Sequence, residues 1–182
     1  MNRLINLIIN KRINKNINKF TIAKFVNDYK KQFISGELDF NCLHSLHIIM
    51  WSRIVQYYED YIFGPIRIDK VKQKILNKIM KDIKKQKSCV LSSDQIKFIS
   101  NLESLFRTIK KYNHNCFACY CSCYNNYHIE CNCEYCPMEW GIYHPCFYYG
   151  ELFITTNKKY FKKNKQYIIN LCKTIKETKW KG

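Results

Sequence analysis

In Leu43-His-Ser-Leu46-His-Ile-Ile-Met50-Trp-Ser-Arg-Ile54-Val-Gln-Tyr57-Tyr-Glu-Asp-Tyr61-Ile-Phe-Gly64-Pro65, the apolar residues Leu43, Leu46, Met50, Ile54, Tyr57 and Tyr61 recur at steps of three and four. That spacing lines one face of an α-helix, and Gly64-Pro65 then forces a turn. The same repeat continues on either side. Ile22, Val26, Tyr29 and Phe33 form a stripe that Gly36 breaks, and Val71, Ile75, Ile79 and Ile83 form another after the turn. Ser92-Ser-Asp-Gln95 has the form of a capping box, in which the hydroxyl and the Gln satisfy each other's backbone N–H groups, and it opens a helix carrying Ile99, Leu102, Phe106 and Ile109. From Thr156 the pattern resumes, with Tyr167, Leu171 and Ile175 read as one face. The expectation is a mainly α protein, a helical bundle.

One break interrupts this pattern. Lys and Arg vanish between residues 113 and 157, and cysteine and aromatics replace them: eight of the eleven cysteines lie between Cys116 and Cys146. The chain therefore divides into a basic helical region over 1–112, a cysteine-rich module over 113–150 that forms an irregular insertion, and a basic C-terminal helix over 151–182 that packs back on the bundle.

Such a density of thiols calls for a chemical reason, because free cysteines are normally scattered small hydrophobes. Zinc needs four soft or borderline ligands in a tetrahedron, and a Cys-x2-Cys knuckle sets two thiolates on one tight turn. Cys116 with Cys119 and Cys133 with Cys136 supply two such knuckles. Cys121, Cys123, Cys131 and Cys146 number four again, so a second zinc is arithmetically possible, with His114, His128 and His144 as substitute ligands. Spacing does not fix the pairing. An iron–sulfur cluster also takes four thiolates, but the ferredoxin run of three cysteines spaced by two is missing. Disulfides need an oxidising compartment and would leave one of eleven thiols over. A thiol oxidoreductase would need a βαβ context around Cys133-Glu-Tyr-Cys136, and none is visible. Cys42, Cys89 and Cys172, in or near helical stripes, read as buried inert thiols.

The net charge of +17, from 31 Lys and Arg against 14 Asp and Glu, attracts polyanions: nucleic acid, anionic lipid or an acidic protein. Part of it also fits codon drift in an AT-rich genome, since Ile, Asn and Lys abound while Gly and Pro total 5 and 3. The charge is not in the cysteine module, which holds Glu130, Glu134 and Glu139 and no Lys or Arg. A zinc with four thiolates carries about −2, so the metallated module repels phosphate. Candidate nucleic-acid contacts are instead Lys74, Lys78 and Lys81 on one helix and Lys158, Lys162 and Lys165 on the last. The module's aromatics read chiefly as the core of a metal-held loop, with Trp140 and Tyr148 as the pair that could stack on bases.

The pattern Cys116-x2-Cys119, Cys133-x2-Cys136-Pro, Trp140 and Cys146, with helices on both sides, resembles small cysteine-rich proteins of tailed phages and giant DNA viruses. The resemblance covers about forty residues and implies a metal-held loop and a viral, virus-like or similarly AT-rich origin, with no activity attached. The extra Cys121, Cys123 and Cys131 depart from the simpler four-cysteine form.

Elsewhere the sequence has no phosphate loop, no His-Glu-x2-His, no nucleophile elbow and no dinucleotide fingerprint. Cys42, His44 and His47 lie within one stretch, yet a catalytic zinc would need a third ligand and a base, so the two histidines read as ordinary helix residues. No run reaches the ~18 apolar residues of a membrane span. The N-terminal repeat Ile5, Ile9, Ile13 and Ile17, set among Arg and Lys with no acid before Asp28, fits a basic amphipathic helix or a mitochondrial presequence. The expected protein is thus soluble and in a reducing intracellular compartment, with a mitochondrion or a virion as alternatives. It is read as a non-catalytic protein binding one or two zinc ions and nucleic acid or a nucleoprotein. The alternatives are an assembly component that meets an acidic protein partner and, third, an iron–sulfur or thiol redox protein.

Overall fold

The computed structural model describes residues 21–29, 38–60, 67–85, 93–111, 117–118, 136–139 and 158–181. These form five helices and no strand: α1 over 21–28, α2 Phe40–Glu59, α3 Ile68–Lys85, α4 Ser93–Lys111 and α5 Lys158–Glu177. The mainly α architecture expected from the stripes is the one observed. No helix among the described residues is long and apolar enough to cross a membrane.

α2 is the spine. Asp39 caps its start, with Oδ1 accepting from the Cys42 backbone N–H at 2.7 Å, which satisfies one of the donors a helix N-terminus leaves open. Leu43, Leu46, Met50 and Ile54 are buried as the spacing predicts, but so are His47, Ile49, Trp51, Arg53, Val55 and Tyr58. A helix buried on so much of its circumference must be covered by several neighbours. It packs against α5 most extensively and against α3, while α3 in turn packs against α4. α1 adds Ile22 and Phe25 to the core, and Tyr29 ties its end to α2: the hydroxyl donates to the Asn41 carbonyl at 2.8 Å and lies 2.7 Å from Ser45 Oγ.

The outer helices are one-sided. α3 buries Val71, Ile75, Ile79 and Ile83 and exposes Lys70, Lys74, Lys78, Lys81, Lys84 and Lys85. α4 buries Phe98, Ile99, Leu102, Leu105, Phe106 and Ile109. Ion pairs fasten α3 at two points: Arg53 Nη1 reaches across from α2 to Asp82 Oδ2 at 3.0 Å, and Arg67 grips the buried Asp69 with Nε and Nη2. Burial lowers the Arg53 pKa from its ordinary value, and Asp82 opposes that shift.

Two expectations need correction. α5 keeps Ile175 buried as expected and packs Leu171 partly buried against the core, but Tyr167 is 50% exposed, and Ile168, Ile169 and Cys172 complete the buried face. Both sets obey helical spacing, and the aliphatic face wins because tyrosine keeps its hydroxyl in water at less cost than isoleucine keeps a bare side chain there. α2 also stops at Glu59, short of Gly64-Pro65, with the Asp60 N–H closing the last turn on Gln56.

Candidate nucleic-acid interface and metal centre

One lysine of each candidate group, Lys74 and Lys165, reaches the last turn of α2. That turn has no basic residue of its own, although the carbonyl end of a helix carries partial negative charge. α5 supplies the cations. Lys165 Nζ donates to the Glu59 carbonyl oxygen at 2.9 Å, and Lys173 Nζ pairs with Glu59 Oε1 at 2.9 Å. From α3, Lys74 Nζ sits 5.5 Å from the centroid of the Tyr57 ring, a cation–π distance. Lys74 and Lys165 are therefore engaged by the protein. Lys78, Lys81 and Lys162 are exposed and make no ion pair with the other described residues. The side chain of Lys158 lies outside the described residues.

Between α3 and α4 the structure opens a cleft of about 510 Å³ that the sequence reading did not find. Lys81, Lys84 and Lys85 come from α3, and Arg107 comes from α4. Glu103 pairs with Lys84 and has its second carboxylate oxygen 4.0 Å from Arg107 Nη2. Nothing in a one-dimensional reading links Arg107 to Lys84. Only the packing of the two helices does.

Of the proposed metal ligands, Cys136 alone belongs to the described residues, and it is buried. Cys116, Cys119, Cys121, Cys123, Cys131, Cys133, Cys146, His114, His128 and His144 lie outside them, as do Trp140 and Tyr148. Among the described residues no group of three or more His, Cys, Asp or Glu side chains is placed to hold a metal ion. The points where the cysteine segment meets the body are nevertheless defined. Phe117 and Ala118 are fully buried, and the Phe117 ring packs edge-on against Phe106 of α4 with centroids 5.7 Å apart. Phe117 thus serves the main core rather than a separate core inside the loop.

At the other contact, Met138 and Trp180 form an antiparallel bridge. The Glu139 N–H donates to the Lys179 carbonyl at 2.8 Å and the Lys181 N–H to the Pro137 carbonyl at 2.6 Å. Trp180 then lays its ring against Phe40, His44 and His47 of α2, with centroids 4.8–5.2 Å away. This backbone pairing begins one residue after the buried Cys136.

Cys42, His44 and His47 are packing residues here. His47 is wholly buried with Nε2 3.1 Å from the Ile175 carbonyl, and burial pushes its pKa down to about 4, against the pull of that carbonyl. A neutral ring donates from Nε2, which leaves Nδ1 as a buried acceptor with no hydrogen bond among the described residues. Burial also lowers the His44 pKa. The thiols of Cys42 and Cys172 are pushed up to about 12 by burial, so they stay protonated and are poor metal ligands, as inert core cysteines should be.

No family model, curated protein or solved structure matches this chain.

Proposed function

We propose that the protein is a non-catalytic zinc-binding protein that contacts nucleic acid through the basic face of α3. The observation that carries this reading is the division of α3 into two sides. Val71, Ile75, Ile79 and Ile83 are buried, while Lys70, Lys78, Lys81, Lys84 and Lys85 stand in solvent on a helix whose own acids, Asp69 and Asp82, are paired with arginines. Phosphates neutralised by such a row release condensed counterions, and that release drives binding.

Zinc is read as a staple. Cys116, Cys119, Cys133 and Cys136 would hold the first ion, with Cys121, Cys123, Cys131 and Cys146 as the set for a second. When bound, a four-thiolate zinc supplies cross-linking and no open coordination position. The anchors at Phe117 and at Met138–Trp180 support that role, because a cross-linked loop held at both points ties α4 to the pair formed by α2 and α5.

Two measurements test the reading. Oligonucleotide affinity is expected to fall linearly with the logarithm of salt concentration, and Lys78→Glu with Lys81→Glu to shallow that slope by roughly one per lysine. Absence of oligonucleotide binding at low salt removes the nucleic-acid reading and leaves an acidic protein as the partner. Native mass spectrometry is expected to find one or two zinc ions, while iron or no metal removes the staple.

A further inference from the structure

We propose that the cleft between α3 and α4 is a nucleotide-binding site, which holds one unit of a single-stranded nucleic acid. This deepens the reading of α3 as a nucleic-acid interface and rests on it. The cleft, at about 510 Å³, lies within the ~300–1,000 Å³ span of small-ligand pockets. Its walls and floor differ in chemistry. Lys81, Lys84, Lys85 and Arg107 bring four cations to one concavity against the single carboxylate of Glu103. Three ammonium groups suit phosphate as point charges, and the Arg107 guanidinium offers two parallel N–H groups to two phosphate oxygens.

The floor is apolar. Met80, half-buried, contributes a polarisable thioether to it, over Phe106, which is itself buried in the core and fixed from behind by the Phe117 ring. A phosphodiester with its base turned in uses both parts. A duplex keeps its bases stacked on each other, so the apolar floor selects a single strand.

Glu103 sets the ligand-free state. Its carboxylate pairs with Lys84 and lies beside Arg107, so two of the four cations already have a protein counterion. A backbone phosphodiester has the same single charge and the same two free oxygens as the carboxylate, so it can replace Glu103 on both, and Lys81 and Lys85, which make no ion pair with the other described residues, favour the exchange. The exchange keeps the two cations ordered in each state and makes Glu103 the competitor of the ligand. The exposed lysines of α3, Lys78 among them, continue the positive track for the neighbouring phosphates.

The test is fluorescence anisotropy of a labelled oligothymidylate with the full, metal-bound chain at low salt. Lys84→Glu with Arg107→Glu is expected to weaken binding about tenfold more than Lys162→Glu with Lys163→Glu, which makes the same change in charge on α5. Glu103→Gln is expected to tighten binding about threefold, and an abasic strand of equal length to bind the native protein several-fold more weakly. If the reversed pair in the cleft fails to fold, Lys81→Ala serves instead, because Lys81 has no ion pair among the described residues, and it is expected to weaken binding about threefold.

Equal losses from the cleft and the α5 variants overturn the cleft while leaving the nucleic-acid reading in place. No binding by the native protein overturns both. Equal affinity for the abasic strand, or weaker binding by Glu103→Gln, also overturns the site as described.

Discussion

α2 and α3 both carry polar and charged residues beside an apolar stripe, yet they use them in opposite ways. At α2 the polar groups are engaged by protein partners: Arg53 is held by Asp82, His47 lies against the Ile175 carbonyl, and Lys165 and Lys173 are recruited from α5 to the end of the helix. On α3 most of the lysines face water, and a cleft beside them leaves room for a ligand. Side-chain type does not decide between the two uses. What decides is the acceptor that packing supplies: a cation that is itself buried against a carboxylate, as Arg53 is, or held by a helix-end carbonyl keeps that partner, whereas one paired in solvent at the cleft, as Lys84 is with Glu103, can exchange it for phosphate.

The largest effect that would break this contrast is on stability. Met50→Ala in α2 removes a fully buried side chain in a helix covered by its neighbours, and a loss of about 2–5 kcal/mol is expected in urea unfolding. Lys78→Ala on the exposed side of α3 is expected to stay within about 0.5 kcal/mol of the native protein. Comparable losses at the two positions would mean that α3's outer face is covered in solution.

Next in size is the response to acid. His47 has a folded-state pKa of about 4 against an ordinary 6.5, with burial as the chief cause. Its neutral form is the one the fold accepts, so the stability it contributes is whole above pH 6.5. That contribution is lost as the pH falls toward 4, when the unfolded chain takes up the proton first, and the loss amounts to roughly 3 kcal/mol. His47→Gln keeps a donor for Ile175 and removes the titration. The difference in unfolding free energy between the two proteins should therefore shrink from pH 7 to pH 4. A constant difference would show that His47 is accessible to protons in the fold, and so that α2 is less enclosed than its packing implies.

The contrast was partly legible in the amino-acid order. Helical stripes follow from a 3.6-residue repeat, so Val71, Ile75, Ile79 and Ile83 could be placed on one buried face without any knowledge of what covers it. Periodicity cannot say how many neighbours a helix has. Trp51, Val55 and Tyr58 therefore joined the core unannounced, and adjacent Ile168 and Ile169 allowed two faces of α5 that differ by one position. The cleft was invisible for a related reason: Lys84 and Glu103 meet across two helices, and no spacing rule spans the residues between them. For the metal centre, composition and spacing supplied the candidate ligands, and of these only Cys136 lies in the described part of the structure.

The smallest effect is the one that separates the two uses of lysine most directly. Lys165 and Lys162 stand one turn apart on α5 and are indistinguishable as sequence. Lys165 donates to the Glu59 carbonyl, where the partial negative charge of α2's end is concentrated, whereas Lys162 is exposed and makes no ion pair with the other described residues. Favourable charge at a helix terminus contributes about 0.3–1 kcal/mol at the surface, and salt screens it. Lys165→Ala is accordingly expected to lower stability by that amount at low salt and by less at high salt, with Lys162→Ala indistinguishable from the native protein. In oligonucleotide binding the order should reverse, because a lysine without a protein acceptor trades only water for phosphate: Lys162→Ala, which removes a peripheral cation outside the α3 face, is expected to lower the salt slope by less than the ~0.7 of a full single-strand contact, and Lys165→Ala to leave it unchanged. Equal slopes for the two variants would show that phosphate competes successfully with the Glu59 carbonyl, and the division between structural and binding lysines would then disappear at the very turn where it is drawn.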